Sequence, residues 1–194
     1  HLCYFSFMAL ETLFHWHGLK VQEVERVDIH GGSLLLFLTH AAVSDSPDRF
    51  SVDHLRQQER GWHAEQPYFY LGFADRIQAL RGELRDLLAY LKGKQGYHIA
   101  GYGAAAKGAM LLNYCGIGPD ILDFVVDRSI HKQGRFIPGV QVPVCGPEKL
   151  LEAMPEYLLI LAWNLADEIM AEQAEYKHRG GQFLLPIPRP RIVT

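Results

Sequence analysis

Apolar residues at Ile77, Leu80, Leu84, Leu87, Leu88 and Leu91 recur mostly at steps of three or four, while Arg76, Arg81, Glu83, Arg85 and Asp86 fall largely between them. That period places one apolar stripe on a helix from about Phe73 to Lys92, closed by Gly93 and Gly96. Further on the period changes. Apolar runs at His98–Gly101, Leu122–Val126, Leu158–Ala162 and Phe183–Pro186 have strand length, and helices fit Ala105–Tyr114, Pro147–Ala153 and Ala166–Lys177 between them. Strands alternating with helices predict an α/β unit over residues 97–194, with a parallel sheet covered on both faces.

Upstream, a short helix from Phe7 to Trp16 is stopped by Gly18, as a glycine just past a helix end does. Val21–Ile29 and Ser33–Thr39 flank Gly31-Gly32 and read as an antiparallel hairpin, with a slip in the alternation between Val21 and Val24. A lone hairpin buries too little to stand by itself, so it is expected to complete a sheet whose remainder lies upstream. Ser44-Asp45-Ser46-Pro47-Asp48 has loop composition, and a helix is predicted from Asp53 to about Ala64. The expected organisation is a hairpin-bearing segment at 1–43, a helical linker at 44–96 and a βαβ domain at 97–194.

Composition narrows the class. With 48% hydrophobic residues the chain has material for a sizeable core, which argues against disorder. A net charge of −3 offers no electrostatic footprint for nucleic acid. No apolar run approaches a membrane span. Cys3, Cys115 and Cys145 are odd in number and far apart, which suggests neither a disulfide framework nor a zinc site and fits a reducing cytoplasm. The opening His-Leu-Cys-Tyr has neither an initiator Met nor a basic leader, so the chain is expected to be entered in mid-sequence.

The chemistry gathers where the predicted strands end. Gly101-Tyr-Gly103-Ala-Ala-Ala106 matches G-x-G-x-x-A after a strand and before a helix, the layout of a turn that brings backbone N–H groups to a phosphate. A tight turn with no ligand is the alternative. Lys107 is either a phosphate partner on the first helical turn or a solvated lysine. Asp127 follows Gly103 by 24 residues, near the place of a ribose-binding acid, and also suits a cap or turn. Lys132, Gln133 and Gly134, with Arg135, form a dense run of donors whose cations fit a diphosphate. Trp163 and Asn164 follow an apolar strand; they are either a stacking ring with a polar reader or a core Trp with a helix cap. Of the ten histidines, His30 has a special context, before Gly31-Gly32 between two strands. Three functions stay open on these residues: binding of some phosphorylated ligand at the glycine turn, an NAD-dependent oxidoreductase domain, and a non-catalytic nucleotide-binding or interaction module.

Gly101-Tyr-Gly-Ala-Ala-Ala-Lys-Gly108, Asn113-Tyr-Cys-Gly-Ile-Gly-Pro119, Lys132-Gln-Gly134, Pro138-Gly139 and Ala162-Trp-Asn-Leu-Ala-Asp-Glu-Ile169, in this order, resemble the C-terminal domain of sugar C-methyltransferases that use S-adenosylmethionine. His1-Leu-Cys-Tyr-Phe-Ser6 resembles the segment after Tyr-x-Glu in that family's Tyr-x-Glu-His motif, and His30-Gly31-Gly32 resembles the turn of the hairpin that closes its methyltransferase sheet. The resemblance implies a Rossmann-like C-terminal domain, preceded by the closing helix and hairpin of a class I methyltransferase domain and a linking helical segment. It implies His1 as general base, and His30, Gly101, Gly103, Lys107, Asp127, Lys132, Gln133, Gly134 and Asn164 as substrate-binding residues for a nucleotide-linked deoxy-keto-sugar. S-adenosylmethionine would be bound by residues upstream of this chain, and zinc by a cysteine-rich domain also absent from it. The chain alone is then expected not to methylate anything.

Overall fold

The computed structural model describes residues 3–29, 32–43 and 49–193. Two compact units divide the chain, residues 1–75 and 76–194.

In the first unit, helix α1 (Phe7–Trp16) starts at Ser6, whose hydroxyl accepts from the Ala9 N–H at 3.2 Å. A second cap comes from far along the chain. Glu59 accepts from the Phe7 and Met8 N–H groups at 2.6 and 2.9 Å, a carboxylate at the positive end of the helix. Glu59 lies on α2 (Arg49–Gly61), which begins and ends a few residues before the predicted helix. Strands β1 (Leu19–Val27) and β2 (Ser33–His40) pair antiparallel, and the register shift between Val21 and Glu23 is the slip visible in the sequence. Phe7, Val21, Val24, Val52 and Leu55 form the core of this unit. The apolar run on β2 is largely left out of it, with Leu34, Leu35, Phe37 and Leu38 all exposed.

Helix α3 (Pro67–Ala89) begins earlier than the periodicity predicts and ends in a π-helical turn at Tyr90–Lys94. The predicted stripe is its buried face, with Leu84, Leu88 and Leu91 at 0–3% exposure. The second unit then builds a six-stranded sheet from β3 (Ile99–Tyr102), β4 (Val125–Val126), β5 (Val144–Cys145), β6 (Tyr157–Ile160), β7 (Gln182–Leu185) and β8 (Arg191–Val193). The order across the sheet is β5-β4-β3-β6-β7-β8, parallel except for β8. Strand β5 was not legible as a strand, and β8 corresponds to a segment read only as extended. The helix predicted over Ala166–Lys177 is two: α6 (Ala166–Glu172) and α7 (Ala174–His178), broken at Gln173, which has φ −97° and ψ 29°.

Alternation along the strands sends side chains to two cores. Ile99, Tyr157, Leu159, Leu161 and Leu184 face α3 and α4 (Ala106–Cys115). Ala100, Tyr102, Leu158, Ile160, Phe183 and Leu185 face α5 (Glu148–Ala153), α6 and α7. At about 1.5–3 kcal/mol per fully buried Leu, Ile or Phe side chain, these two layers supply most of the driving force for this unit. Connections run outward from β3 in opposite senses, through α4 to β4 and, after β5, through α5 to β6. The strand order therefore reverses between β3 and β6. A crevice beyond the carboxyl ends of these two strands is where such sheets bind ligands.

Candidate functional site

The turn after β3 is shaped first by packing. A Cβ on Gly101 would come within 2.9 Å of Val125 Cγ2 and 3.1 Å of Leu161 Cδ1. At Gly103, φ is +95° and a Cβ would meet Ala162 Cβ at 3.0 Å. Both glycines are thus required by the contact of β3 with its neighbours, whatever binds above them. Helix α4 starts at Ala105 with no side-chain cap, so its first N–H groups are not taken by a side chain.

Asp127, at the end of β4 and 8% exposed, ties this turn to the loop that follows. Its Oδ2 accepts from the Ala104 N–H at 2.7 Å and from Lys132 Nζ at 3.1 Å, and its Oδ1 accepts from the Ser129 N–H at 2.8 Å. Gln133 Nε2 donates to the Asp127 carbonyl oxygen at 3.0 Å. Burial disfavours the charged carboxylate, but the Ser129 N–H, the Lys132 ammonium and the Ala104 N–H outweigh it and hold the carboxyl below its usual range. Gly134, at φ +72°, donates its N–H to the Val144 carbonyl at 2.9 Å and lays the loop against β5.

Across the reversal point, Lys107 Nζ donates to Asn164 Oδ1 at 2.9 Å and lies 5.4 Å from the centroid of the Trp163 ring. The 3₁₀ turn Trp163–Leu165 follows β6, so this bond joins α4 to the strand on the other side of β3. The structure therefore gathers Gly101, Gly103, Lys107, Asp127, Lys132, Gln133, Gly134 and Asn164 at one end of one sheet. His1 and His30 lie outside the described residues.

Three cavities open around this end. One of about 300 Å³ has a floor of Ala104, Ala105 and Ala106 and a wall of His131, Lys132, Arg135 and Phe136. Another of about 190 Å³ is lined by Tyr102, Asp127, Arg128 and Glu168 among others, and the buried Tyr102 hydroxyl has no hydrogen-bond partner among the described residues. The third, of about 310 Å³, includes Trp163, Asn164, Asp167, Glu168 and Arg191.

Sequence reasoning left out residues that shape the first cavity. Asn113 Nδ2 donates to the Pro138 and Ala109 carbonyls at 2.8 and 2.7 Å, anchoring the far end of the loop to α4. Gly139, at φ +83°, makes room for it, since a Cβ there would lie 1.9 Å from Asn113 Oδ1. The signal was present in the Asn113 and Pro138-Gly139 segments, but nothing in one sequence says that they touch. Arg135 was read as one of the cations that fit a diphosphate, but nothing in the sequence says that it shares a cavity with His131 and Phe136. Among the described residues, no three His, Cys, Asp or Glu side chains converge on a metal position, and no helix is long and apolar enough to cross a membrane.

Residues 28–188 match the family described as C-methyltransferase C-terminal domain. Over 194 residues, all of this chain, the sequence is 39% identical to the C-methyltransferase NovU of Streptomyces niveus, and it spans 46% of that protein, about half its length.

Proposed function

This chain belongs to the C-methyltransferase C-terminal domain family, and from that premise we propose that it is the nucleotide-sugar-holding part of a C-methyltransferase acting on a nucleotide-linked deoxy-keto-sugar. What supports the reading is the gathering of Lys107, Lys132, Gln133 and Asn164 around the Gly101–Gly103 turn, at the point where the strand order reverses. Positive side chains and helix N–H groups suit a diphosphate, and the Asn amide suits a sugar or base. Residues 1–43 are the tail of the methyltransferase domain in this reading, with His1 as general base and His30 on the substrate; both assignments rest on the sequence alone. We place the protein in the cytoplasm.

The proposed chemistry is removal of a proton from the carbon beside the keto group, followed by attack of the resulting carbanion or enolate on a methyl group. S-adenosylmethionine, held upstream, would supply that methyl. The share of the chain described here is positioning: fixing one reactant so that the reacting carbon meets the donor in line, which can carry a large part of a rate enhancement. Zinc has no host among the described residues, and no step is assigned to it.

A specific observation disfavours the NAD-dependent alternative. The acid that would read a ribose diol, Asp127, already accepts three bonds within the chain. Calorimetric titration of the full-length protein with dTDP, a dTDP-linked keto-sugar and NAD(H) tests the two. Binding of the first two without NAD(H) is expected; tight NAD(H) binding would replace this reading with the oxidoreductase one.

A further inference from the structure

Resting on that reading, we propose that Glu59 is a positioning residue for methyl transfer: bound to the first two N–H groups of α1, it fixes the chain that leads back to the general base, His1.

Two charged side chains are buried among the described residues, Asp127 and Glu59. Asp127 ties the glycine turn to the loop that follows it, and Glu59 belongs to the other unit. Burying a carboxylate is costly unless hydrogen bonds satisfy it. A plain cap does not require this one, because Ser6 already accepts from the Ala9 N–H. Glu59 comes from 52 residues away to take the Phe7 N–H, and takes the Met8 N–H beside it. Its charge sits at the positive end of the helix, where such bonds are strongest. The result is a tie between two helices that sets where α1 begins.

The start of α1 matters because of what precedes it. Phe7 is the first buried residue after His1 among the described residues, since Cys3, Tyr4 and Phe5 are exposed. His1 lies six positions before Phe7, so a shift of the helix start passes directly to the base. A misplacement of about 1 Å can cost on the order of a hundredfold in rate. Helix α2 is a firm support for this tie. Val52 and Leu55 enter the core, Ser51 Oγ accepts from the Val24 N–H at 3.2 Å, and Arg56 donates to Glu11 at 2.8 and 2.5 Å. The residue before Glu59 reaches the hairpin: Gln58 accepts from Arg26, four residues before His30. A cavity of about 580 Å³ is lined by both segments, with Cys3, Tyr4 and Phe5 from one and Arg26, Asp28 and Ser33 from the other. One turn of α2 thus holds the two stretches of chain that carry His1 and His30.

The test is kinetic, on the full-length protein with a dTDP-linked keto-sugar, in wild type, Glu59→Ala, Glu59→Gln, Arg56→Ala, His1→Ala and the double variant of His1→Ala with Glu59→Ala. Two rates are read: methylation with S-adenosylmethionine, and exchange of the proton beside the keto group with deuterated water, which follows the base alone. Glu59→Ala is expected to lower kcat and the exchange rate about tenfold or more and to leave the KM for the sugar within about twofold. Glu59→Gln keeps one acceptor oxygen and is expected to fall between Glu59→Ala and wild type. Arg56→Ala loosens the same two helices away from the start of α1, and is expected to keep kcat within about twofold at a comparable loss of melting temperature. In the double variant, exchange should be no slower than in His1→Ala, because Glu59 acts through the base. Wild-type kcat in Glu59→Ala, losses that multiply in the double variant, or an equal loss of kcat in Arg56→Ala would each reduce Glu59 to a structural cap and leave the base reading standing. If His1→Ala exchanges as fast as wild type, or wild type neither exchanges nor methylates the keto-sugar, the parent reading fails and takes this one with it. Should Glu59→Ala lose its melting transition, the isosteric Glu59→Gln decides between the same outcomes.

Discussion

Lys107 and Asn164 stand on opposite sides of the point where the strand order reverses, and a 2.9 Å hydrogen bond joins them. Any phosphate that reaches the first turn of α4 must draw this ammonium away from the amide or share it. Replacing Lys107 with Ala is therefore expected to weaken nucleotide-sugar binding by the full-length protein about tenfold, the lower end of what a hydrogen bond to a charged group contributes. The melting temperature should hardly move, because the side chain is only partly buried. Equal affinity of Lys107→Ala and wild type by calorimetry would remove Lys107 from the binding set.

Asp127 carries a pH signature. Its carboxyl is held below the ordinary value, so its three bonds contribute in full above the unfolded-state value of about 4 and are lost as pH falls through the lower folded value. Asp127→Asn is expected to cost on the order of 2–3 kcal/mol near neutral pH, since Lys132 and two N–H groups lose a charged acceptor. Urea unfolding followed from pH 7 down to pH 3 should show the gap between variant and wild type closing below about pH 4. A gap that persists unchanged to pH 3 would mean the carboxylate is not the stabilising species.

Asn113 and Gly139 depend on each other. Gly139→Ala adds a Cβ into the Asn113 amide and puts a side chain at φ +83°, two separate costs. The backbone cost alone is about 1–2 kcal/mol. In the double variant with Asn113→Ala the steric part disappears and the backbone part stays. Thermal melts of the two single variants and the double should thus give a coupling of about 0.5–3 kcal/mol in favour of the double. Strict additivity would show that the two do not share the space.

Much of this fold is legible in the order of residues, and the exceptions have a physical pattern. The helix stripe ending in Leu84, Leu88 and Leu91 announces itself by its period, and the strands β3, β6 and β7 by apolar runs of strand length. Strand β4, expected over Leu122–Val126, is only Val125–Val126, while β5 has two residues, too few to stand out, and exists as a strand because Val125 and Val126 are already beside it. The break at Gln173 leaves apolar spacing intact on both sides and is invisible to periodicity. At the site the residue types were readable and their partners were not. Asp127, Lys132 and Gln133 look alike whether they face a ligand or one another, and pairing across distant segments such as Ala104 with Asp127 is a property of the folded chain.

The leucine-rich strand β2 has a consequence for handling. It has β1 on one side, and Leu34, Leu35, Phe37 and Leu38 are 38–46% exposed on a two-stranded sheet. An apolar strand of this kind offers a template for another chain to add to, with no charged gatekeeper between Ser33 and Thr39. Produced by itself at high concentration, this chain is therefore a candidate for aggregation seeded at β2, and one Lys placed at Leu35 is where a soluble version would begin.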